Sequence, residues 1–248
     1  MPARFPLFSS AEWSGMGAVV HFLKIDPRFA QITVISIVAV TILIILERLC
    51  ARGLAVRGEP YPALLTFLVI ALKTAIPFLF LWYLAGLNPS CLGWIRGGVM
   101  QSLGKGVVLA AVMMACAGIY QKYSYLIFGT PYRSTGGTML QHAHSCSTIA
   151  LLITASLLNA WGEEIIFRGM LLPVFSQHTG VLLAIVLQSI IFTLYHFFPL
   201  QNSLLLFFMG ILFGLGYVWS GSLITPVIAH LIENGVGVAV FLLKHRWS

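Results

Sequence analysis

Charged side chains are scarce in this chain of 248 residues, where Asp, Glu, Lys and Arg together make up 8%. Soluble domains carry about 25% charged residues. Hydrophobic residues account for 59% of the chain, and its mean hydropathy is +0.94. This composition excludes an ordinary soluble globule, and it excludes a disordered chain still more firmly because disorder requires low hydrophobicity. The class that is left is a polytopic membrane protein.

Aspartate is the rarest of the acids, since the chain contains only Asp26. A membrane aspartic protease needs two aspartates that share a proton, so that mechanism is excluded. The His-Glu-x-x-His motif of helical zinc proteases and the Gly-x-Ser-x-Gly elbow of serine hydrolases are also missing. The four cysteines have no spacing typical of a metal site. A short run with His142, His144 and Cys146 lacks a clear fourth ligand, and we interpret it as a polar loop.

The net charge of +7 does not indicate a nucleic-acid partner. The basic residues lie mostly in the connections between apolar runs, where the positive-inside rule explains them. Continuous apolar runs of about 20 residues predict transmembrane helices, because only helices and closed barrels satisfy the backbone in lipid. The runs lack the alternation of barrel strands. We therefore predict an all-α polytopic transmembrane bundle of about seven spans (six to eight), and an integral multi-pass membrane protein.

The chain is predicted to form a single integral membrane domain over residues 1–248. The predicted spans are 29–46, 63–85, 99–120, 147–174, 181–198, 203–219 and 223–243.

Few charges interrupt the apolar sequence of the C-terminal half, and two of them are adjacent glutamates. A charge at the bilayer centre costs about 2.5–3.5 kcal/mol on insertion scales, so Glu163 and Glu164 need a physical reason. Glu164 and Arg168 are four residues apart and can form an ion pair on a helix. Glu163 points about 100° away and is left without that partner, which suits a general acid or base. Glu233 is the remaining charge, and a position at the membrane boundary is the simplest account of it.

Two further patterns place histidines inside predicted spans: Phe192 with His196, and His230 with Asn234. His230 and Asn234 are four residues apart and share a helix face. A single polar residue in a span often serves only to form a hydrogen bond to a neighbouring helix. Together with the glutamates, however, these groups would converge in a dry bundle, which is typical of an active site. A turn near Gly180 would bring His196 and Glu164 to matching depths, since each lies sixteen residues from it.

These patterns resemble the CAAX protease and bacteriocin-processing family of intramembrane glutamic proteases, which includes the Rce1-type prenyl-protein endopeptidases. That family carries Glu-Glu-x-x-x-Arg, Phe-x-x-x-His and His-x-x-x-Asn on successive membrane helices. All three motifs stand in this chain in that order. The resemblance covers roughly residues 147–240, a predicted protease core. Residues 1–146 are then N-terminal spans whose role in specificity is unknown.

The resemblance implies an endopeptidase that cleaves near the C-terminus of a membrane-associated protein or peptide, prenylated or unmodified. It implies no cofactor and no partner beyond the substrate and the lipid bilayer; in a bacterium the location would be the cell membrane. Glu163 would activate water with help from His196. Glu164 and Arg168 would brace Glu163. His230 and Asn234 would stabilise the oxyanion of the tetrahedral intermediate.

Two alternatives stay open from the residues alone. Glu163, His196 and His230 could instead bind zinc as a set of two histidines and one glutamate with an open position. Intramembrane carboxylates and histidines also form proton relays in transporters, although the chain has no inverted repeat. Like the transporter, a non-catalytic immunity or scaffold protein is an alternative without enzymatic activity.

Overall fold

The computed structural model describes residues 27–56, 63–84, 92–93, 98–130, 132 and 146–245. Within these residues the chain is helical between short turns, and no strand occurs. The helices are α1 (Pro27–Val56), α2 (Ala63–Leu79), α3 (Val99–Tyr123), α4 (Tyr125–Phe128), α5 (Cys146–Glu164), α6 (Leu172–Thr179), α7 (Val181–His196), α8 (Leu200–Ser220) and α9 (Ile224–His245). Two π-helical turns, Phe80–Leu84 and Ile165–Leu171, follow α2 and α5.

Seven apolar helical stretches in the described part of the chain coincide with the seven predicted spans. Four are long and apolar enough to cross a membrane: Pro27–Ala51, Val99–Phe128, Ser147–Thr179 and Leu200–Ser220. Three are shorter: Ala63–Leu79, Val181–His196 and Ile224–Val240. The predicted all-α transmembrane bundle is therefore confirmed, and the protein is an integral multi-pass membrane protein.

Many large apolar side chains of the described residues lie on the outer surface of the bundle. Val34 and Ile42 of α1, Leu126 of α4 and Leu182 of α7 are all more than half exposed. A soluble helix would carry polar residues on such an outer face, whereas a helix that is apolar on every side is typical of a membrane span. Lipid chains are the natural neighbours of these side chains.

The span that contains the two glutamates is one continuous helical stretch with a π-helical turn in its middle. α5 ends at Glu164, the π-helical turn occupies Ile165–Leu171, and α6 begins at Leu172. All seven residues of this turn are buried, including Arg168. π-helical turns are rare and often mark functional sites, because they widen the helix and redirect its side chains.

α5 packs between α2 and α9, and a glycine allows its close approach to α2. A Cβ atom added to Gly162 would lie 2.6 Å from Oγ1 of Thr74 and 3.2 Å from its Cα. Both separations are too short for ordinary contact, so a larger residue would push the two helices apart. Small residues serve this purpose at many membrane helix interfaces. The contact at Gly162 brings the glutamates of α5 close to the side chains of α2.

The hairpin predicted between the fourth and fifth spans is present. Gly180 separates α6 from α7 and has a φ of 77°, a conformation that a residue with a Cβ adopts only with strain. α7 then returns along α6 and packs against α8. This return path brings His196, the last residue of α7, back towards the glutamates.

Candidate active site

Glu163 and Glu164 lie at the C-terminal end of α5, and both are buried, with exposed fractions of 3% and 0%. Arg168 donates a hydrogen bond from Nη1 to Oε1 of Glu164 at 3.0 Å. The ion pair predicted from their spacing is thus confirmed. Nη2 of Arg168 donates to the backbone carbonyl of Gly210 at 3.1 Å, which ties the π-helical turn to α8.

The guanidinium of Arg168 is fully buried between two aromatic rings. Its Cζ lies 4.7 Å from the ring centre of Phe192 and 4.8 Å from that of Phe213. Such cation–π contacts offset part of the cost of burying the charge. The same rings also contact the two histidines: Phe192 meets His196 edge-on at 4.8 Å, and Phe213 stacks on His230 at 4.9 Å. The phenylalanine of the second motif is therefore part of the packing around the site.

Glu163 faces both histidines. Nε2 of His196 lies 3.6 Å from Oε1 of Glu163, and Nε2 of His230 lies 3.8 Å from its Oε2. Both separations exceed a direct hydrogen bond, so the three side chains face a common point without being bonded to each other. Nδ1 of His196 lies 2.7 Å from the carbonyl of Phe192. A carbonyl only accepts, so Nδ1 carries the proton, and Nε2 of the neutral ring is an acceptor.

His230 connects the two glutamates. Its Nδ1 lies 2.8 Å from Oε1 of Glu164, while its Nε2 is the atom that faces Glu163. Glu164 therefore binds Arg168 and His230 through the same oxygen. Such a second contact fixes the orientation of an imidazole ring.

Asn234 lies one helical turn beyond His230 on α9. Its Nδ2 donates to the carbonyl of Ser156 on α5 at 3.0 Å, and the side chain is half-buried. This bond uses one of the two amide protons and holds α9 against α5. Glu233, the neighbouring acid, is also half-buried.

Two polar side chains that sequence analysis did not single out complete the surroundings of Glu163. Nδ2 of Asn159, one turn earlier on α5, donates to Oε1 of Glu163 at 2.6 Å. Nζ of Lys73 on α2 donates to Oδ1 of Asn159 at 3.0 Å. Glu163 does lie apart from Arg168, as its position on the helix predicted, but α2 supplies a cation that is linked to it through Asn159. The helical spacing of Asn159 and Glu163 was visible in the sequence, whereas nothing in it related Lys73 to either.

Among the described residues, no group of three or more His, Cys, Asp or Glu side chains is arranged to hold a metal ion. This finding includes Glu163, His196 and His230, the set considered above as zinc ligands. His142 and His144 lie outside the described residues.

An apolar cavity of about 720 Å³ lies beside the site. α1, α7 and α8 form most of its wall, and the π-helical turn adds Ile166 and Phe167. Tyr195, the neighbour of His196, also lines the cavity, and its buried hydroxyl has no hydrogen-bond partner among the described residues. Tyr195 and Phe197, the two chain neighbours of His196, thus line the cavity, although His196 itself does not.

Comparison with known proteins relates the same part of the chain to one family. Residues 145–236 match the family described as type II CAAX prenyl endopeptidase Rce1-like. The uncharacterized protein YpbD of Bacillus subtilis is 35% identical over 101 residues, which cover 40% of this chain and 49% of YpbD. The membrane-embedded CAAX protease MroQ of Staphylococcus aureus is 34% identical over 92 residues, which cover 33% of this chain and 35% of MroQ.

No solved structure matches the chain. The chain spans about half the length of YpbD and about a third of the length of MroQ. These matches therefore concern a region and not the whole proteins. That region contains the two glutamates, Arg168 and both histidines of the site. The resemblance indicated by the three motifs is therefore confirmed for residues 145–236, which are similar to the Rce1-like family of CAAX prenyl endopeptidases.

Proposed function

We propose that this protein is an intramembrane glutamic endopeptidase whose general base is Glu163. One observation carries the proposal: Glu163 faces the Nε2 atoms of His196 and His230 across 3.6 and 3.8 Å, while Glu164 is engaged by Arg168. The two adjacent acids therefore have different surroundings, and only Glu163 faces a point where a water molecule and a peptide carbonyl could meet. We further propose residues 147–240 as the protease core within a single membrane domain.

The proposed reaction begins with a water molecule held between Glu163 and His196. Glu163 takes one proton from this water while Nε2 of His196 accepts a hydrogen bond from the other. The water oxygen forms a bond to the carbonyl carbon of the substrate and gives a tetrahedral intermediate. The carbon–nitrogen bond then breaks, and the proton on Glu163 passes to the leaving amine. The products are a carboxylic acid and an amine, and Glu163 is regenerated.

The negative charge on the carbonyl oxygen needs hydrogen-bond donors, and we propose His230 and Asn234 for this role. His230 donates from Nε2 only when that atom carries a proton. Glu164, which contacts Nδ1 of His230, is suited to stabilise the doubly protonated ring. Asn234 keeps one amide proton beyond the one given to Ser156. Removal of a single oxyanion donor costs about 10²–10³ in kcat in other hydrolases.

The proposed substrate is a membrane-associated protein or peptide that is cut near its C-terminus. The apolar cavity beside Tyr195 has the volume of a typical ligand pocket and suits a hydrophobic segment or a lipid-modified tail. The family description names prenyl endopeptidases, and MroQ is named a CAAX protease, so farnesylated tails are the first substrates to test.

The experiment compares wild type and Glu163→Gln in proteoliposomes. Both proteins receive a mixed library of farnesylated and unmodified hydrophobic C-terminal peptides, with and without a strong zinc chelator, and mass spectrometry identifies the products. Glu233→Gln is the matched control, because it removes a half-buried glutamate from another span. We expect cleavage by wild type and Glu233→Gln, unaffected by the chelator, and none by Glu163→Gln.

Other outcomes would replace the proposal with a different one. Cleavage that stops with chelator and returns with zinc would show a metalloenzyme in which Glu163 is a ligand or base. Cleavage by Glu163→Gln at the wild-type rate would remove Glu163 from the mechanism. If the wild type cleaves no peptide, a non-catalytic immunity, scaffold or transport function would take precedence.

A further inference from the structure

Lys73 is a buried cation with no part in the mechanism described so far. It lies in α2, 17 residues that are otherwise uncharged, and its exposed fraction is 8%. A buried ammonium is costly unless it is paired and hydrogen-bonded. The structure gives it two favourable contacts: a hydrogen bond to Oδ1 of Asn159 at 3.0 Å, and the ring of Tyr195, whose centre lies 5.1 Å from Nζ.

The hydrogen bond from Lys73 determines how the amide of Asn159 is oriented. An ammonium group has donors only, so it must face the oxygen of the amide. The NH₂ group of Asn159 then points the other way, where Nδ2 donates to Oε1 of Glu163 at 2.6 Å. Glu163 only accepts hydrogen bonds and Lys73 only donates them, so the two charged groups hold the amide in the same orientation from opposite ends.

This chain of bonds differentiates the two oxygens of Glu163. Oε1 receives the bond from Asn159 and faces His196, whereas Oε2 faces His230 without such a bond. The close approach of α2 and α5 at Gly162 makes the arrangement possible, since Thr74 follows Lys73 directly. The oxygen that faces His196, and with it the proposed water, is thus the one that Asn159 holds in place.

We propose that Lys73 and Asn159 are positioning residues that hold the carboxylate of Glu163 in its reactive orientation. This inference rests on the proposed function, in which Glu163 is the general base. Lys73 acts through Asn159 and makes no contact with the substrate. Arg168 pairs directly with Glu164, whereas Lys73 reaches Glu163 through the amide of Asn159. The catalytic half of the chain is thereby linked to a residue of the N-terminal spans.

The kinetic test uses full-length Lys73→Met, Lys73→Arg and Asn159→Leu in proteoliposomes with the best peptide from the library. Lys105→Met is the matched control, because Lys105 also lies in a span over an aromatic ring, 5.1 Å from the centre of Trp219. We expect Lys73→Met and Asn159→Leu each to lower kcat roughly 10- to 100-fold, since they remove a hydrogen bond to a charged group.

The pattern of the kinetic effects separates positioning from a general structural role. KM should stay within about twofold in both variants, because the lost interaction acts on the transition state. Lys73→Arg should recover part of the rate, since guanidinium also donates to Oδ1. The double variant should be no slower than the worse single variant, because both substitutions break one chain of bonds. Wild-type kcat in Lys73→Met and in Asn159→Leu would overturn the inference and leave the proposed function intact.

A spectroscopic test does not depend on cleavage. Infrared difference spectra of ¹³C-glutamate-labelled wild type and Glu163→Gln identify the carboxylate band of Glu163. We expect this band to shift in Lys73→Met and in Asn159→Leu and to stay in place in Lys105→Met. An unshifted band in the two variants would overturn the inference even if the wild type cleaves no peptide. Because either variant alone tests the same contact, one that fails to fold can be replaced by the other.

Discussion

The carboxylate of Glu164 accepts a hydrogen bond from Arg168 at 3.0 Å, and neither side chain has any surface accessible to solvent. This pair explains why two adjacent acids can occupy one membrane helix. Glu164 is neutralised by a residue one turn away, whereas Glu163 points in another direction, where it faces His196 of α7 and His230 of α9. The local pair provides rigidity, and we propose that the second acid provides the chemistry.

Arg168→Gln should destabilise the protein strongly, because it leaves Glu164 as a buried charge without its counter-ion. Breaking a buried ion pair in this way costs about 3–5 kcal/mol. The effect is measured as thermal stability in mild detergent. Size-exclusion chromatography reports how much intact protein is lost. The double variant Glu164→Gln with Arg168→Gln should lose less than the single variant, since no uncompensated charge is left. An equal or greater loss in the double variant would contradict this account.

His196→Gln should lower kcat about 10²- to 10⁴-fold, the range for loss of an acid–base group, with little change in thermal stability. The substitution removes the Nε2 acceptor that faces Glu163 and keeps a side chain of similar length. Peptide cleavage in proteoliposomes provides the measurement. The matched control is His178→Gln, because His178 is exposed on α6 and should tolerate the change. Equal losses of activity in the two variants would indicate a nonspecific effect.

Gly162→Ala should destabilise the protein by about 1–3 kcal/mol, the usual cost of overpacking a tight contact. The added Cβ would meet Thr74 at 2.6 Å and force α5 away from α2. Activity should fall as well, because the same displacement lengthens the contact between Lys73 and Asn159. Gly118→Ala is the control, since a Cβ at Gly118 meets nothing within 4 Å. Adding Thr74→Ala should restore only part of the stability, because the contact with the Cα at 3.2 Å persists.

Phe213→Leu should cost about 1–2 kcal/mol of stability and lower kcat, since its ring packs against both Arg168 and His230. Leucine fills most of the volume but lacks the aromatic face that supports a cation and an imidazole. Phe208→Leu on the same helix is the matched control, because the Phe208 side chain is 48% exposed. The same chromatography and peptide assays measure both variants. Equal effects of the two substitutions would show that the ring contacts carry no special contribution.

The sequence by itself determined the features that depend on composition or on neighbours within one helix. Apolar runs defined the membrane class and the position of the spans, and a spacing of four residues predicted the pair of Glu164 and Arg168. Gly180 marked the hairpin that returns α7 towards α5. Each of these rests on a short stretch of chain, whose geometry is fixed by helical periodicity.

Only the tertiary structure decided which side chains of other helices lie near Glu163. Lys73 lies 90 positions earlier in the sequence, and Phe213 gave no indication that it would support both Arg168 and His230. In a soluble helix, polar residues on the outer face reveal which side points inward. A membrane span has few polar residues to reveal which side points inward, so its sequence indicates the rotation of the helix less fully. Close packing at contacts such as Gly162 then sets that rotation, and with it the neighbours of each buried charge.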